Sequence, residues 1–387
     1  MDNLTHTLFG ATLARTPIGR AGRGATLTLI LASNAPDIDF IAVAGGGLSY
    51  LQWHRGPTHG PLGIVGLGLT TAGLVWAGQR AFGTPRDGDR PSFGALAGLS
   101  ILGVFLHVLM DLPTSYGTRL LSPFAWHWYA KDWMPIVDIN LLAILSAGLA
   151  FGRRPPRAGP GGGDAPPAGG WDPAWTAAGR NATIALMLMA AHYGLRATAH
   201  HRAIGEAPGL FGPLLPPPCE GAVPAGALPD RWPPRTSLPA RDQGATRCLR
   251  EIAAIPSLLS PFQWRLIAQL SNAYQISDLD LFDRSLRTPP ADADAPWRRA
   301  RRVPNQWTPA VVKASETRVG QVFLGFARFP AARSVIERDG TVVVRWNDVR
   351  FFDSPVANGG PAARGNLFAA TVRVGSDGQI LQQRLGR

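Results

Sequence analysis

Histidine and aspartate side chains occur at short spacings within the first 140 residues of the chain. His107 and Asp111 stand four residues apart in an apolar stretch, SILGVFLHVLMD, and that spacing places both on one face of a helix. An imidazole and a carboxylate so placed could hold one metal ion together. Ionisable groups inside an apolar helix are costly and commonly mark function. The alternative is a His–Asp hydrogen bond that only ties two helices together.

Other acids and imidazoles offer the same kind of ligand. Three more clusters and one single residue stand out: Asp2 with His6, Asp37 with Asp39, His54 with His59, and Asp138. Imidazoles and carboxylates together suit zinc, manganese or iron. The predicted cofactor is therefore a divalent metal, zinc first and manganese as the alternative. The predicted ligands are His6, Asp37, Asp39, His54, His59, His107, Asp111 and Asp138.

Metal-assisted hydrolysis is the chemistry that fits this ligand set. A bound metal lowers the pKa of its water toward neutrality, and a second metal could stabilise the other oxygen of an in-line displacement. Arg55 could neutralise a phosphate oxygen, unless it is an arginine that reaches the membrane interface. The predicted catalytic residues are Arg55 and Asp39. The sequence contains no GxxxxGK[ST] motif and no GxSxG motif in a suitable context.

Long apolar runs must position these residues. Residues 60–79 and 93–112 are uncharged and near the roughly 20 residues that a membrane span needs, whereas 24–35 and 136–151 are shorter. A further apolar helix is predicted over 181–199. Runs of this length and glycine content favour a membrane protein over a large soluble helical core. The predicted fold is mainly α, a multi-pass transmembrane helical bundle with a C-terminal antiparallel β domain.

Arginine counting predicts the orientation of this bundle. The turn at 15–23, the loop at 80–92 and the linker after residue 152 hold most arginines of the first half, so this side is expected to be cytoplasmic. The helix at 181–199 then carries the rest of the chain to the periplasm of a bacterium. All candidate ligands fall at one depth, near the outer leaflet, and Pro36 is expected to open the chain so that both Asp37 and Asp39 approach.

The chain divides by composition into five predicted segments. They are a membrane-embedded metal-site domain (1–152), a Pro/Gly-rich linker (153–180), a last transmembrane helix (181–200), a Pro-rich connector (201–260) and a soluble β-rich domain (261–387). In the last segment, period-two patterns flank turns at Ser271-Asn272, Asp339-Gly340 and Ser376–Gly378, which predicts three hairpins. Cys219 and Cys248 could pair in an oxidising compartment or remain free thiols.

The net charge of +12 could indicate nucleic acid or an anionic membrane surface. The arginines are scattered, however, and form no basic helix or aromatic–basic repeat, so no nucleic-acid partner is expected. Membrane lipid is the expected partner, and the β domain could bind a periplasmic protein.

The ordered set DNLTH, NAPDID, HRGPTH, HVLMD and PIVD resembles the family of predicted membrane-bound metal-dependent hydrolases of bacterial inner membranes, over roughly residues 1–150. The resemblance implies a multi-pass membrane protein with hydrolase activity and supplies no substrate. More distantly, the HxxxD helix is similar to that of zinc-dependent phospholipase C and P1-type nucleases, which cleave phosphodiesters. Their second His-xxx-Glu helix has no counterpart here, since Lys131 follows His127 by four, so one or two ions are expected.

Three functions remain open from the sequence. The first is a membrane-bound hydrolase of a phosphoester or lipid-like substrate. The second is a non-enzymatic membrane scaffold with a structural metal or His–Asp site. The third is an ion-coupled transporter, which would need acidic residues along a path across the bilayer rather than at one depth.

Overall fold

Helices dominate the first half of the chain and strands the second. The computed structural model describes residues 1–20, 24–82, 92–151, 173–211, 217–219, 230–232, 248–283, 300–351 and 368–386. The helices are α1 (Asn3–Ala14), α2 (Ala25–Ala32), α3 (Gly46–Trp53), α4 (Pro61–Phe82), α5 (Phe93–Asp111), α6 (Ile139–Ala150), α7 (Pro173–Gly205), α8 (Ala207–Phe211), α9 (Pro309–Ser315) and α10 (Arg318–Phe326). A 3₁₀ segment, Ala35–Gly45, lies between α2 and α3.

Two of the described helices, α4 and α5, are long and apolar enough to cross a membrane. The pair formed by α2 and the stretch Ala35–Trp53 passes the same test but is bent by 43°, which would make a third, broken span. Helix α6 has 12 residues and is shorter than a span. Within the described residues, the structure thus supports two to three apolar spans.

The helix expected over 181–199 forms as part of α7, but it is not among the spans that pass this test. His192 and Arg196 lie within this helix, and such polar side chains lower its mean hydropathy below that of a span. Both side chains are buried. Helix α7 also begins at Pro173, inside the predicted linker. The linker residues 153–172 and the loop 83–91 lie outside the described residues.

The strands form antiparallel sheets. They are β1 (Trp128–Ala130), β2 (Asp230–Trp232), β3 (Leu249–Pro256), β4 (Gln263–Leu270), β5 (Ala273–Asp280), β6 (Arg301–Pro304), β7 (Pro330–Ile336), β8 (Val342–Asp348), β9 (Ala369–Val374) and β10 (Ile380–Leu385). Two sheets have four strands, in the orders β3-β4-β5-β6 and β10-β9-β8-β7, and β1 pairs with β2. The C-terminal antiparallel β region is confirmed.

All three predicted hairpins are present, as β4-β5, β7-β8 and β9-β10. Gly340 takes φ +82° in the turn after β7, a conformation that glycine adopts without steric cost. The sequence patterns missed the strands β1, β2, β3 and β6 and the helices α3, α8, α9 and α10. Strand β3 begins at Leu249, ahead of the predicted boundary at 261. It was missed because most of its residues are buried, on both faces of the sheet, so its sequence lacks a period of two.

The β region and the helical half share a hydrophobic core. Leu51 of α3 and Trp128 of β1 are fully buried in one cluster with Phe323 and Phe326 of α10 and Trp346 of β8. The indole Nε1 of Trp128 donates a hydrogen bond of 2.9 Å to the carbonyl of Gly325.

Buried arginines reinforce this contact. Arg328 pairs with Asp132 at 2.7 Å and with Glu251, and Arg350 donates to the carbonyl of Ser115 at 2.8 Å. A buried arginine needs such partners, because an unpaired charge away from water is costly. The loop between α5 and α6 is therefore held by the β region.

Cys219 and Cys248 form a disulfide with Cα atoms 5.0 Å apart. Of the two alternatives left open by the sequence, the structure has the paired one. The bond closes a loop of sequence separation 29 that contains β2. The disulfide therefore joins the residue directly ahead of β3 to the segment 217–219, whose backbone is hydrogen-bonded to Leu249 at the start of β3.

A close contact between α4 and α5 generates a stability prediction. An added Cβ at Gly68 would lie 2.6 Å from Ile101 Cγ1, whereas at Gly66, on the same helix, it would meet nothing within 4 Å. Small residues let membrane helices approach closely. We expect Gly68→Ala to lower the free energy of unfolding by about 1–3 kcal/mol and to lower the melting temperature of the detergent-solubilised protein. Gly66→Ala is the matched control, and equal melting temperatures for the two variants would contradict this packing.

Candidate metal centre

Four side chains from three parts of the chain converge at one point. They are Asp37, His59, His107 and Asp111, each of which offers an atom within 4.8 Å of the others. His59 Nε2 lies 3.3 Å from His107 Nε2, and both nitrogens lie near Asp111 Oδ2, at 3.4 Å and 3.6 Å. Asp37 Oδ1 is 3.8 Å from His59 Nε2 and 3.6 Å from His107 Nε2. This group could hold a metal ion.

The spacing of these atoms suits a tetrahedral ion. Ligands about 2.0–2.1 Å from a tetrahedrally bound zinc lie about 3.3–3.4 Å from one another. The two imidazole nitrogens are 3.3 Å apart, and the four separations between an imidazole nitrogen and a carboxylate oxygen run from 3.4 Å to 3.8 Å, close to this value.

Hydrogen bonds on the far side of each ring fix the nitrogen that faces the centre. His107 Nδ1 lies 2.7 Å from the carbonyl of Ser33, which can only accept, so Nδ1 carries the proton. Thr58 Oγ1 donates to Asp39 Oδ2 at 3.2 Å, so it accepts from His59 Nδ1 at 2.9 Å. In both neutral imidazoles Nε2 is then an unprotonated acceptor.

Acceptors therefore face acceptors. Two imidazole lone pairs and two carboxylate oxygens, Asp37 Oδ1 and Asp111 Oδ2, point into one volume. Arg55 Nη2 is 3.2 Å from Asp111 Oδ2, whereas the second Asp37 oxygen, Oδ2, is buried without a hydrogen-bond partner. Buried acceptors that lack donors are costly. A cation would relieve this repulsion, so these four side chains fit a divalent metal as its ligands.

The local backbone explains why these residues meet. His107 and Asp111 lie one turn apart at the end of α5, as their spacing predicts. His59 ends a short 3₁₀ turn, Pro57–His59, which follows Arg55 at φ +50°. At Gly60 an added Cβ would lie 1.8 Å from the carbonyl oxygen of Ser122, so only glycine permits this chain crossing.

Positive and aromatic groups surround Asp111. Its Oδ1 contacts the amino group of Met1 and lies 3.3 Å from His6 Nε2. Arg55 Nη2 is 3.2 Å from Asp111 Oδ2.

His6 lies beside the four-residue group without joining it. Its ring stacks on His107 with centroids 3.8 Å apart, and both of its nitrogens are buried without a hydrogen-bond partner. The predicted ligand role of His6 therefore stays a prediction with a favourable position.

Asp39 and His54 lie outside the group of four and orient it. Asp39 accepts hydrogen bonds from the backbone N–H of Arg55 at 2.6 Å and from Thr58 Oγ1, and its Oδ1 lies 3.0 Å from His54 Nδ1. Arg55 in turn donates to Thr114 Oγ1 and to the carbonyl of Gly117. Asp39 therefore fixes the loop that carries His59.

Asp138 lies in a separate polar contact. It caps the start of α6 by accepting from the N–H of Leu141 at 2.9 Å, and it pairs with Arg196 at 2.6 Å and His192 at 3.2 Å. Burial acts to raise the pKa of Asp138, but the hydrogen bonds from His192 and Leu141 and the charge of Arg196 hold it below its usual value. The structure does not bring Asp138 into the group that it was expected to join.

Two residues that support the group, Thr58 and Ser33, were not among the site residues predicted from the sequence. The signal for Thr58 was present in HRGPTH, where a hydroxyl lies next to a ligand histidine.

Comparisons with known proteins agree with a membrane protein. Residues 1–203 match the family model described as YdjM inner membrane protein. A relative from Bacillus subtilis (strain 168), "Uncharacterized protein YfhP", is 26% identical over 164 residues, which cover 39% of this chain and 47% of that protein. The chain thus spans about half the length of this relative. No solved structure matches the chain.

The hydrogen bond between His59 Nδ1 and Thr58 Oγ1, which fixes the tautomer of His59, generates a prediction for metal affinity. Thr58→Val removes the hydroxyl and keeps the side-chain shape, so the His59 ring loses its fixed orientation. We expect the affinity for zinc to fall about 10- to 100-fold, as for other partners of ligand histidines, in a competition titration with a chromogenic chelator. Thr70→Val is the matched control, because the Thr70 hydroxyl only donates to the carbonyl of Gly66 on an exposed face. Unchanged affinity in Thr58→Val would contradict the assigned tautomer.

Proposed function

Because the chain belongs to the YdjM inner membrane protein family, we propose that it is a membrane-bound, metal-dependent hydrolase of a phosphoester or lipid-like substrate. The observation that carries the proposal is the convergence of four potential ligand atoms, from Asp37, His59, His107 and Asp111, within 4.8 Å of one another. Zinc is the proposed ion and manganese the alternative, because two imidazoles and two carboxylates suit both.

The residues of the chain have distinct parts in this proposal. His59, His107, Asp37 and Asp111 hold the cation, which supplies a water activated at neutral pH and a positive charge for the substrate. Arg55 keeps its Nε–H buried and without a hydrogen-bond partner, so it can donate to a phosphoester oxygen. Asp39 holds the backbone of Arg55 and, through Thr58, the ring of His59.

The orientation of the chain is part of the proposal. We propose that the C-terminal β region lies in the periplasm, on the side opposite to the arginine-rich turn at 15–23. The Cys219–Cys248 disulfide supports this side, since disulfides persist in oxidising compartments. A periplasmic protein partner for the β region stays a prediction.

A structural metal site is the second candidate function. Burial favours it, because the side chains of His59, His107 and Asp111 are fully buried and only Asp37 keeps some exposure. In that case the ion would join the start of α4, the end of α5 and the 3₁₀ segment without turnover. Loss of the ion would then lower the stability of the fold, and the protein would have no hydrolase activity in either state.

Metal removal separates the two functions. We expect the protein purified in detergent to contain stoichiometric zinc or manganese. It should hydrolyse p-nitrophenyl phosphate, bis(p-nitrophenyl) phosphate or a phospholipid, and lose this activity on chelation and regain it with added metal. Asp37→Asn should reduce turnover at least about 100-fold, the size of effect seen when one electrostatic group of an active site is removed, with a melting temperature near that of the wild type. His127→Ala, outside the four-residue group, is the control.

A scaffold would give a different pattern. Bound metal with no turnover on any of these substrates, together with a lower melting temperature after chelation, would contradict the hydrolase and support the structural site.

Arg55 can be tested separately from the metal. Arg55→Lys keeps the charge near Asp111 but removes the Nε–H donor and the planar fork. We expect kcat to fall about 10- to 100-fold with metal content unchanged, since a donor to the reacting group is lost. An unchanged kcat would assign Arg55 to structure alone. Arg265→Lys, in an exposed pair with Asp278, is the control.

A further inference from the structure

The 3₁₀ segment exposes large apolar side chains beside a residue of the metal centre. Ile38, Phe40 and Ile41 are 58%, 63% and 74% exposed, and Val43 is 42% exposed. A contiguous apolar surface of this kind marks a site of contact with a membrane, a ligand or a partner. Asp37, one of the four proposed metal ligands, belongs to the same segment.

The periodicity of the segment places Asp37 in line with two of these side chains. A 3₁₀ helix has three residues per turn, so positions i and i+3 eclipse each other. Pro36 and Asp39 share one line, and both are buried. Asp37, Phe40 and Val43 share the next line. Asp37, whose side chain keeps 11% exposure, therefore begins a row that continues in exposed apolar side chains.

Aromatic contacts make this row continuous with the wall of the centre. The Phe40 ring lies 6.0 Å from the Tyr50 ring, edge to face, and Tyr50 stacks on His54 at 4.4 Å. His54 is bound to Asp39, which fixes the His59 loop. A molecule that lies along Phe40 and Val43 thus reaches the side of the centre on which Asp37 is accessible.

Membrane lipid is the occupant that the surroundings favour. From Ile38 to Trp53 the chain has one charged residue, Asp39, and that residue is buried. The same stretch follows α2 as the second arm of the bent apolar span. Its exposed apolar side is therefore continuous with surface that the bilayer covers.

We propose that the substrate is a phosphoester carried on a hydrocarbon chain, and that it enters the centre from the bilayer along the 3₁₀ segment. This inference rests on the proposed hydrolase. The phosphate would contact the cation on its Asp37 side and the Nε–H of Arg55, and the hydrocarbon chain would lie along Phe40 and Val43. Hydrolysis breaks one P–O ester bond, joins the oxygen of a water to phosphorus, and leaves a proton from that water on the departing alcohol oxygen.

The test compares lipids with their deacylated forms on the full-length, metal-loaded protein. The probes are dioleoyl phosphatidic acid, phosphatidylglycerol and phosphatidylethanolamine in vesicles. Their soluble counterparts are glycerol 3-phosphate, glycerophosphoglycerol and glycerophosphoethanolamine, and products are resolved by mass spectrometry. We expect at least one lipid to exceed its counterpart at least about tenfold in kcat/KM, since burial of two or three methylene groups is enough for this ratio.

Variants of the apolar row give a second readout. Phe40→Ser and Val43→Ser should raise the ratio of KM for that lipid to KM for bis(p-nitrophenyl) phosphate, both measured on the same variant, about fivefold or more. Phe40→Leu should restore the lipid KM, which excludes a folding defect as the cause. Leu74→Ser is the matched control, since Leu74 is equally exposed, at 68%, but lies on α4.

The outcomes separate this inference from the hydrolase itself. Metal-dependent hydrolysis of bis(p-nitrophenyl) phosphate without preference for any lipid, or with a lipid KM unaltered by Phe40→Ser, would overturn the lipid substrate and leave the hydrolase. Absence of turnover on every probe by the metal-loaded protein would overturn both.

Discussion

Electrostatic repulsion between acceptors is the constraint on which the described centre depends. Two imidazole nitrogens 3.3 Å apart, with both protons committed on the opposite sides of the rings, meet two carboxylate oxygens in a buried volume. Helix packing alone would not bring these groups together, because their desolvation opposes burial. The surrounding bonds, from Ser33 to His107 and from Thr58 to His59, hold the rings against that repulsion. The arrangement could therefore hold a cation.

The loop between α5 and α6 connects this centre to the β region through its two faces. Thr114 and Gly117 accept hydrogen bonds from Arg55, which reaches Asp111. Ser115 and Tyr116, between them, accept from Arg350 of the β region. A displacement of the β region would therefore be transmitted to the candidate metal centre through only a few contacts. The strands are thus part of the scaffold of the centre, although none of the four converging residues comes from them.

Local spacing made part of this structure predictable. The pairing of His107 with Asp111 follows from a helical turn, and the hairpin at Gly340 follows from a turn sequence between alternating residues. Asp37 and Asp39 could not be distinguished, because the difference depends on a 3₁₀ rather than an α turn after Pro36. The sequence grouped Asp138 with the other predicted ligands because all were expected at one depth in the bilayer. Depth does not fix lateral position, and Asp138 pairs with Arg196 of α7 rather than joining the group. Tertiary partners of this kind leave no local pattern.

The four proposed ligands differ in how firmly the chain holds them, which bears on how an ion would exchange. His107 and Asp111 lie on a long α-helix, and His59 is fixed by its hydroxyl partner and by the close crossing at Gly60. Asp37 alone lies on a 3₁₀ segment, whose hydrogen-bond geometry is poorer than that of an α-helix. Unwinding of that one segment opens the cage on a single side. The rate at which a bound ion leaves would then be governed by this opening rather than by the strength of the other three bonds.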